Sequence, residues 1–232
     1  MKQAGCPQAS ASRRAPSIFG SVTNALLALL LGIPGFALAI VLHELAHAWV
    51  ADRLGDPTAR HAGRISLDPR RHFDPAGALV YVISVVFLGF GFGWAKPVPI
   101  NAWNFRDRRA GMALTGIAGP LANFLQAWLW MGLLQVSLRW PGSMGLVAGM
   151  MFYGFTINVV LMVFNLVPIP PLDGSRVLAW MLPERAAQQL DRMEPFGMAL
   201  VLLLLVGFGF TFLDPVLQWV FGMFQWVLRL FL

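Results

Sequence analysis

The chain has 232 residues, 17 basic and 11 acidic, for a formal charge of +6. Apolar types make up 57% and charged types 12%, against roughly 25% charged in an average soluble domain. These proportions exclude a disordered chain and a collagen-like fibre and argue against an ordinary soluble globule, and the single cysteine, Cys6, excludes an intramolecular disulfide.

Residues 1–17 carry Lys2, Arg13 and Arg14 and are expected to form a flexible leader, with 18–232 a single integral-membrane domain. Residues 15–42 hold no charge across 28 positions, longer than a signal-peptide core of about 7–15, so this segment is read as retained. Its Gly32-Ile33-Pro34-Gly35 break could split it into two half-helices. Residues 75–95 are charge-free over 21 positions, have a basic loop at each end and contain Gly89, Gly91 and Gly93. A re-entrant segment fits them better than a clean crossing. Further charge-free runs cover 110–138 (29 residues), 140–172 (33), 195–213 (19) and 215–228 (14). A membrane span needs about 20 mostly apolar residues. The sequence therefore predicts an all-α polytopic membrane protein with about five to six membrane segments and a re-entrant or irregular element around 75–100. Gly111, Gly116 and Gly119 would let their helix approach a neighbour closely. Trp49, Trp94, Trp103, Trp140 and Trp180 fall near expected interfaces, as in an aromatic belt.

The basic residues locate the faces. Arg53, Arg60, Arg64, Arg70 and Arg71 lie in one loop; Lys96, Arg106, Arg108 and Arg109 in the next; Arg176, Arg185 and Arg192 in a third. By the positive-inside rule these loops are cytoplasmic. The positive charge is thus expected to face anionic lipid of the bilayer, with no nucleic-acid partner.

The chemistry is concentrated in His43-Glu44-Leu45-Ala46-His47. If 36–50 is helical, His43 and His47 share one face on adjacent turns and can reach one zinc ion. Glu44 is then placed to take a proton from water at that ion. Ionisable groups inside a membrane segment cost about 2.5–3.5 kcal/mol each, and three occur here within five residues. A catalytic zinc wants a third protein ligand and an open position. Asp173 follows a helix-stopping Pro168-Ile169-Pro170-Pro171 and precedes Gly174; alone it suits an N-cap as well as a ligand. His61 and His72, in the charged loop, are expected at the surface.

These motifs resemble the site-2 protease family of intramembrane zinc metalloproteases: H-E-x-x-H in a membrane helix, then Asn165-Leu166-Val167-Pro168-Ile169-Pro170-Pro171-Leu172-Asp173-Gly174. Gly63-Arg64-Ile65-Ser66-Leu67-Asp68-Pro69, His72-Phe73-Asp74-Pro75, Phe92-Gly93-Trp94-Ala95-Lys96-Pro97-Val98-Pro99 and Ala118-Gly119-Pro120-Leu121-Ala122-Asn123 are similar to the compact bacterial branch without a PDZ domain. Ala102, Trp103 and Asp68 depart from that pattern, outside the zinc motif. The resemblance covers about 36–182, the expected catalytic core. It implies one Zn2+ per chain held by His43, His47 and Asp173, Glu44 as general base, and Asn165 placing substrate or stabilising an oxyanion. Interhelical hydrogen bonding is the other reading of Asn165. The implied enzyme cleaves transmembrane or membrane-associated proteins from the cell (inner) membrane, with its site toward the cytoplasm. An unwound substrate strand is expected to pair near 96–100 or 165–172. The competing function is a non-catalytic membrane scaffold or chaperone retaining the fold.

Overall fold

The structure is a computed structural model that describes residues 18–88, 92–139, 145–208 and 211–231. The expected leader, Cys6, Gly89, Gly91 and Trp140 lie outside the described residues. Among the described residues there is no strand; the helices are α1 (Ile18–Arg53), α2 (Thr58–His61), α3 (Pro75–Leu88), α4 (Arg108–Leu138), α5 (Gly145–Asn165), α6 (Asp173–Met181), α7 (Glu184–Arg192), α8 (Glu194–Phe208) and α9 (Asp214–Phe231). This is the expected all-α membrane architecture. Residues Leu26–Arg53 of α1, and the whole of α4 and α5, are long and apolar enough to cross a membrane. The remaining expected segments fall on α3, α8 and α9, of 14, 15 and 18 residues.

The break considered at Gly32–Gly35 does not occur. α1 is one helix of 36 residues with Pro34 inside it, about 54 Å at 1.5 Å per residue. That is long enough for its two ends to lie on opposite sides of a bilayer about 30 Å thick.

Residues 75–95 behave differently. Asp74 starts α3 by accepting from the Ala76 and Gly77 amides at 2.8 and 2.9 Å, an N-cap arrangement. Fourteen residues rise only about 21 Å, short of a crossing. The chain then returns, and the Lys96 amide donates to the His72 carbonyl at 2.9 Å. Both ends of the segment thus meet on the side it left, as a re-entrant element requires. The return passes so close that a Cβ on Gly77 would overlap the Trp94 carbonyl.

The main core lies between α4, α5, α8 and α9. Val159 and Phe224 are fully buried there, and the Phe224 ring sits 4.5 Å from Trp128 and 5.2 Å from Phe155. α1 packs on α5 so tightly that a Cβ on Gly35 would strike the Gly154 backbone. Small residues thus bring α1, α4 and α5 together. The basic loops are also joined. Asp56 accepts from the Asn101 amide and the Asn104 side chain, both at 2.7 Å, and Arg109 pairs with Glu184 at 3.4 Å.

Candidate metal centre and active site

α1 places His43 and His47 one turn apart, both buried. Their Nε2 atoms lie 3.0 Å apart, and each is 3.2 Å from Asp173 Oδ2. Asp173 is the first residue of α6, and the preceding Leu172 shows no side-chain cap. The capping alternative is not what the fold uses; the carboxylate points at the two imidazoles. The helix ahead of it, α5, ends at Asn165, before the proline run, as expected.

Outer contacts fix both imidazoles. His47 Nδ1 donates to the Thr115 carbonyl at 2.6 Å. His43 Nδ1 donates to Asn123 Oδ1 at 2.6 Å. Asn123 in turn donates from Nδ2 to Asn158 Oδ1 at 2.9 Å, and Asn158 donates to the Gly154 carbonyl at 2.9 Å. Both asparagines are completely buried. With Nδ1 protonated on each ring, each Nε2 presents a lone pair. Two lone pairs and a carboxylate oxygen converge without a hydrogen between the nitrogens, an arrangement that a cation relieves. A tetrahedral zinc with bonds of about 2.0–2.2 Å needs ligand atoms about 3.3 Å apart, so the triad fits zinc.

α4 is the wall behind the ligands. A Cβ on Gly119 would overlap both imidazoles, and one on Gly116 would press on the Asp173 carbonyl and Arg176. The expected close approach of this helix therefore occurs at the site itself.

Glu44, His43, His47, Asp173 and Asn165 line one cavity of about 360 Å³, closed on another side by the extended stretch around Trp94 and Val98. Glu44 Oε2 accepts from the Val98 amide at 3.0 Å. Asn165 donates to the Leu161 carbonyl at 3.0 Å, so one amide hydrogen is engaged within its own helix and a second is left over.

Three expectations change. His72 is not a surface residue: it is 1% exposed, with Nε2 donating to the Ser66 carbonyl at 2.8 Å. Its loop folds inward, whereas His61 is exposed as expected. Trp94 lines the cavity instead of a lipid interface. The pairing edge expected at 96–100 is largely consumed, because Lys96 and Val98 spend their amides on His72 and Glu44 and Pro97 and Pro99 have none. Asn158 and Thr115 went unnoticed in the sequence. A polar Asn158 inside a 33-residue charge-free run was the available signal.

Residues 141–208 match peptidase family M50. The "Putative zinc metalloprotease YwhC" of Bacillus subtilis is 35% identical over 175 residues, covering 72% of this chain and 76% of its own. The "Putative zinc metalloprotease Rip2" of Mycobacterium tuberculosis is 32% identical over 200 residues, covering 85% and 73%. The "Putative zinc metalloprotease MJ0611" of Methanocaldococcus jannaschii is 27% identical over 191 residues, covering 82% and 84%. No solved structure matches the chain.

Proposed function

The chain belongs to peptidase family M50, and from that premise we propose that His43, His47 and Asp173 hold the zinc ion of an intramembrane metalloprotease whose general base is Glu44. The observation that carries the assignment is the convergence of three ligand atoms within 3.2 Å of one another beside Glu44. Zinc, when bound, supplies Lewis-acid chemistry that polarises a carbonyl and acidifies water.

The chain's own residues account for the rest. A membrane-embedded protein substrate reaches the cavity sideways and unwinds, because a helix hides its carbonyls in its own hydrogen bonds. Among the described residues the amides of 93–95 have no partner, so the extended substrate pairs there rather than at 96–100. Glu44 takes a proton from the attacking water and passes it to the departing amide nitrogen. The water oxygen bonds to the carbonyl carbon as the C–N bond breaks. Asn165 offers its second amide hydrogen to the developing oxyanion. The basic loops support a reading in which this site faces the cytoplasm, and the membrane in that reading is the cell membrane.

The test compares cleavage of a single-span membrane protein by the wild type, by Glu44→Gln and by chelated wild type. Cleavage by the wild type alone is expected, with Glu44→Gln still retaining zinc. Equal cleavage in all three would refute the assignment. Zinc retention with no cleavage of any membrane substrate would instead support the scaffold reading.

A further inference from the structure

Two loop motifs have no part in the chemistry above, the one containing Arg64 and the one from His72 to Pro75, and both contact the extended stretch 92–99. The structure brings them together. Arg64 is 6% exposed, a costly place for a cation unless it is paired and hydrogen-bonded. Its guanidinium donates from Nη1 to the Pro97 carbonyl at 3.1 Å and from Nη2 to the Lys96 carbonyl. The opposite edge of the same stretch is held where the Lys96 amide meets the His72 carbonyl, at 2.9 Å. The loop carrying both anchors is tied to itself, by Arg71 Nη1 donating to the Gly63 carbonyl and by His72 Nε2 donating to the Ser66 carbonyl.

The next residue along is Val98. Its side chain is buried against Ala48 of α1 and Ala59 of α2, beside Ile65 and Ile100. Its amide faces inward and donates to Glu44 Oε2. Burial lowers the Arg64 pKa from its ordinary value, and the charge of Glu44 acts in the opposite sense. The cation therefore lies within the field of that carboxylate.

We propose that Arg64 is a positioning residue for Glu44: by gripping the Lys96 and Pro97 carbonyls it fixes the stretch whose Val98 amide orients the carboxylate. This rests on the reading of Glu44 as general base. The Val98 amide engages one oxygen and leaves the other to accept a proton. An unrestrained 96–98 stretch would let the carboxylate turn, and a misplacement of about 1 Å can cost about 100-fold in rate. Arginine suits the role because its rigid planar fork presents donors to two carbonyls in a fixed geometry, which the flexible lysine ammonium holds less firmly.

The test uses the full chain in lipid nanodiscs with Arg64→Met, Arg64→Lys, Val98→Pro, the Arg64→Met/Val98→Pro double variant and Glu44→Ala. Hydrogen exchange is read at the peptide containing Val98, zinc content by elemental analysis, and kcat and KM on one single-span test protein. Both Arg64→Met and Glu44→Ala are expected to speed Val98 exchange at least about tenfold, with zinc content unchanged in Arg64→Met. Arg64→Met should lower kcat about 100-fold with KM moved less than about threefold. Arg64→Lys should recover part of the loss. The double variant should be no worse than the poorer single variant, because both act on one hydrogen bond. A raised KM with kcat intact, or losses that multiply, would overturn the proposal. Unchanged Val98 exchange in Glu44→Ala would overturn it even if no substrate were cleaved. A wild type that cleaves nothing while the exchange effects appear would refute the protease assignment and leave the Arg64 tether standing. If Arg64→Met fails to fold, Arg64→Lys and Val98→Pro carry the comparison.

Discussion

Gly119 and Asn123 are the residues on which the imidazoles depend without themselves touching metal or substrate. A methyl at Gly119 would overlap both rings, and the α4 backbone behind it cannot retreat without disturbing Thr115 and Asn123. Gly119→Ala is therefore expected to lose most of its zinc in a dialysis assay while keeping its helix content by circular dichroism. Asn123→Leu has a different cause. It leaves the buried His43 Nδ1–H without an acceptor and frees the ring to rotate. Such outer partners are worth about 10–100-fold in metal affinity, to be read by competition with a chromogenic chelator. Asn158→Leu should cost less, since it acts on Asn123 rather than on the ring. An Asn158→Leu effect as large as that of Asn123→Leu would mean that the pair supports helix packing and not the imidazole.

The elements show why some of the site was legible in the sequence. His43 and His47 needed only the helical period, and α1 supplies it. Asp173 stands at the head of a different helix, so no periodicity joins it to them; the family resemblance did. The Glu44 contact to Val98 was invisible because its donor is a main-chain amide, which no residue type announces. The reach of 75–95 was half legible. Basic loops at both ends argued for a return, but the short 14-residue α3 and the Gly77–Trp94 contact emerge only from packing. The turn after α1 is likewise built on one buried group. Asp56 accepts from Asn101 and Asn104, as above, and from the Thr58 amide at 3.1 Å. Burial opposes its ionised form, but the hydrogen bonds from Thr58, Asn104 and Asn101 prevail and lower its pKa below 3.8. The unfolded chain therefore takes up this proton first as pH falls. The stabilisation is complete above about pH 4 and is lost as pH falls through the folded-state value. Asp56→Asn should be less stable by about 1–3 kcal/mol at pH 7. In thermal melts between pH 6 and 3 its gap from the wild type should narrow. A gap that widened on acidification would contradict the hydrogen-bonded carboxylate.

On the scale of the molecule, charge and topology must agree. Fifteen of the 17 basic residues lie in the leader and three loops, and the structure fastens those loops to each other through Arg64, Asp56 and the Arg109–Glu184 pair. Loops joined this way share one side of the membrane. A single unbroken crossing by α1 would send its first residues to the other side, and the positive-inside rule would then weigh the leader's charge against that of the loops. The loops carry 12 basic residues against three in the leader and should decide the orientation, since the excess of Lys and Arg sets it. In a Cys6→Ser background, Arg70→Cys, Arg106→Cys and Arg185→Cys each introduce a thiol at an exposed loop position. A membrane-impermeant thiol reagent is expected to label all three only after the cells are permeabilised. Asp214→Cys, exposed at the start of α9, should be labelled in intact cells. Labelling of all three loop positions in intact cells would invert the orientation. A split among the three would break the joined face on which the re-entrant path of 75–95 and the placement of Glu44 both depend.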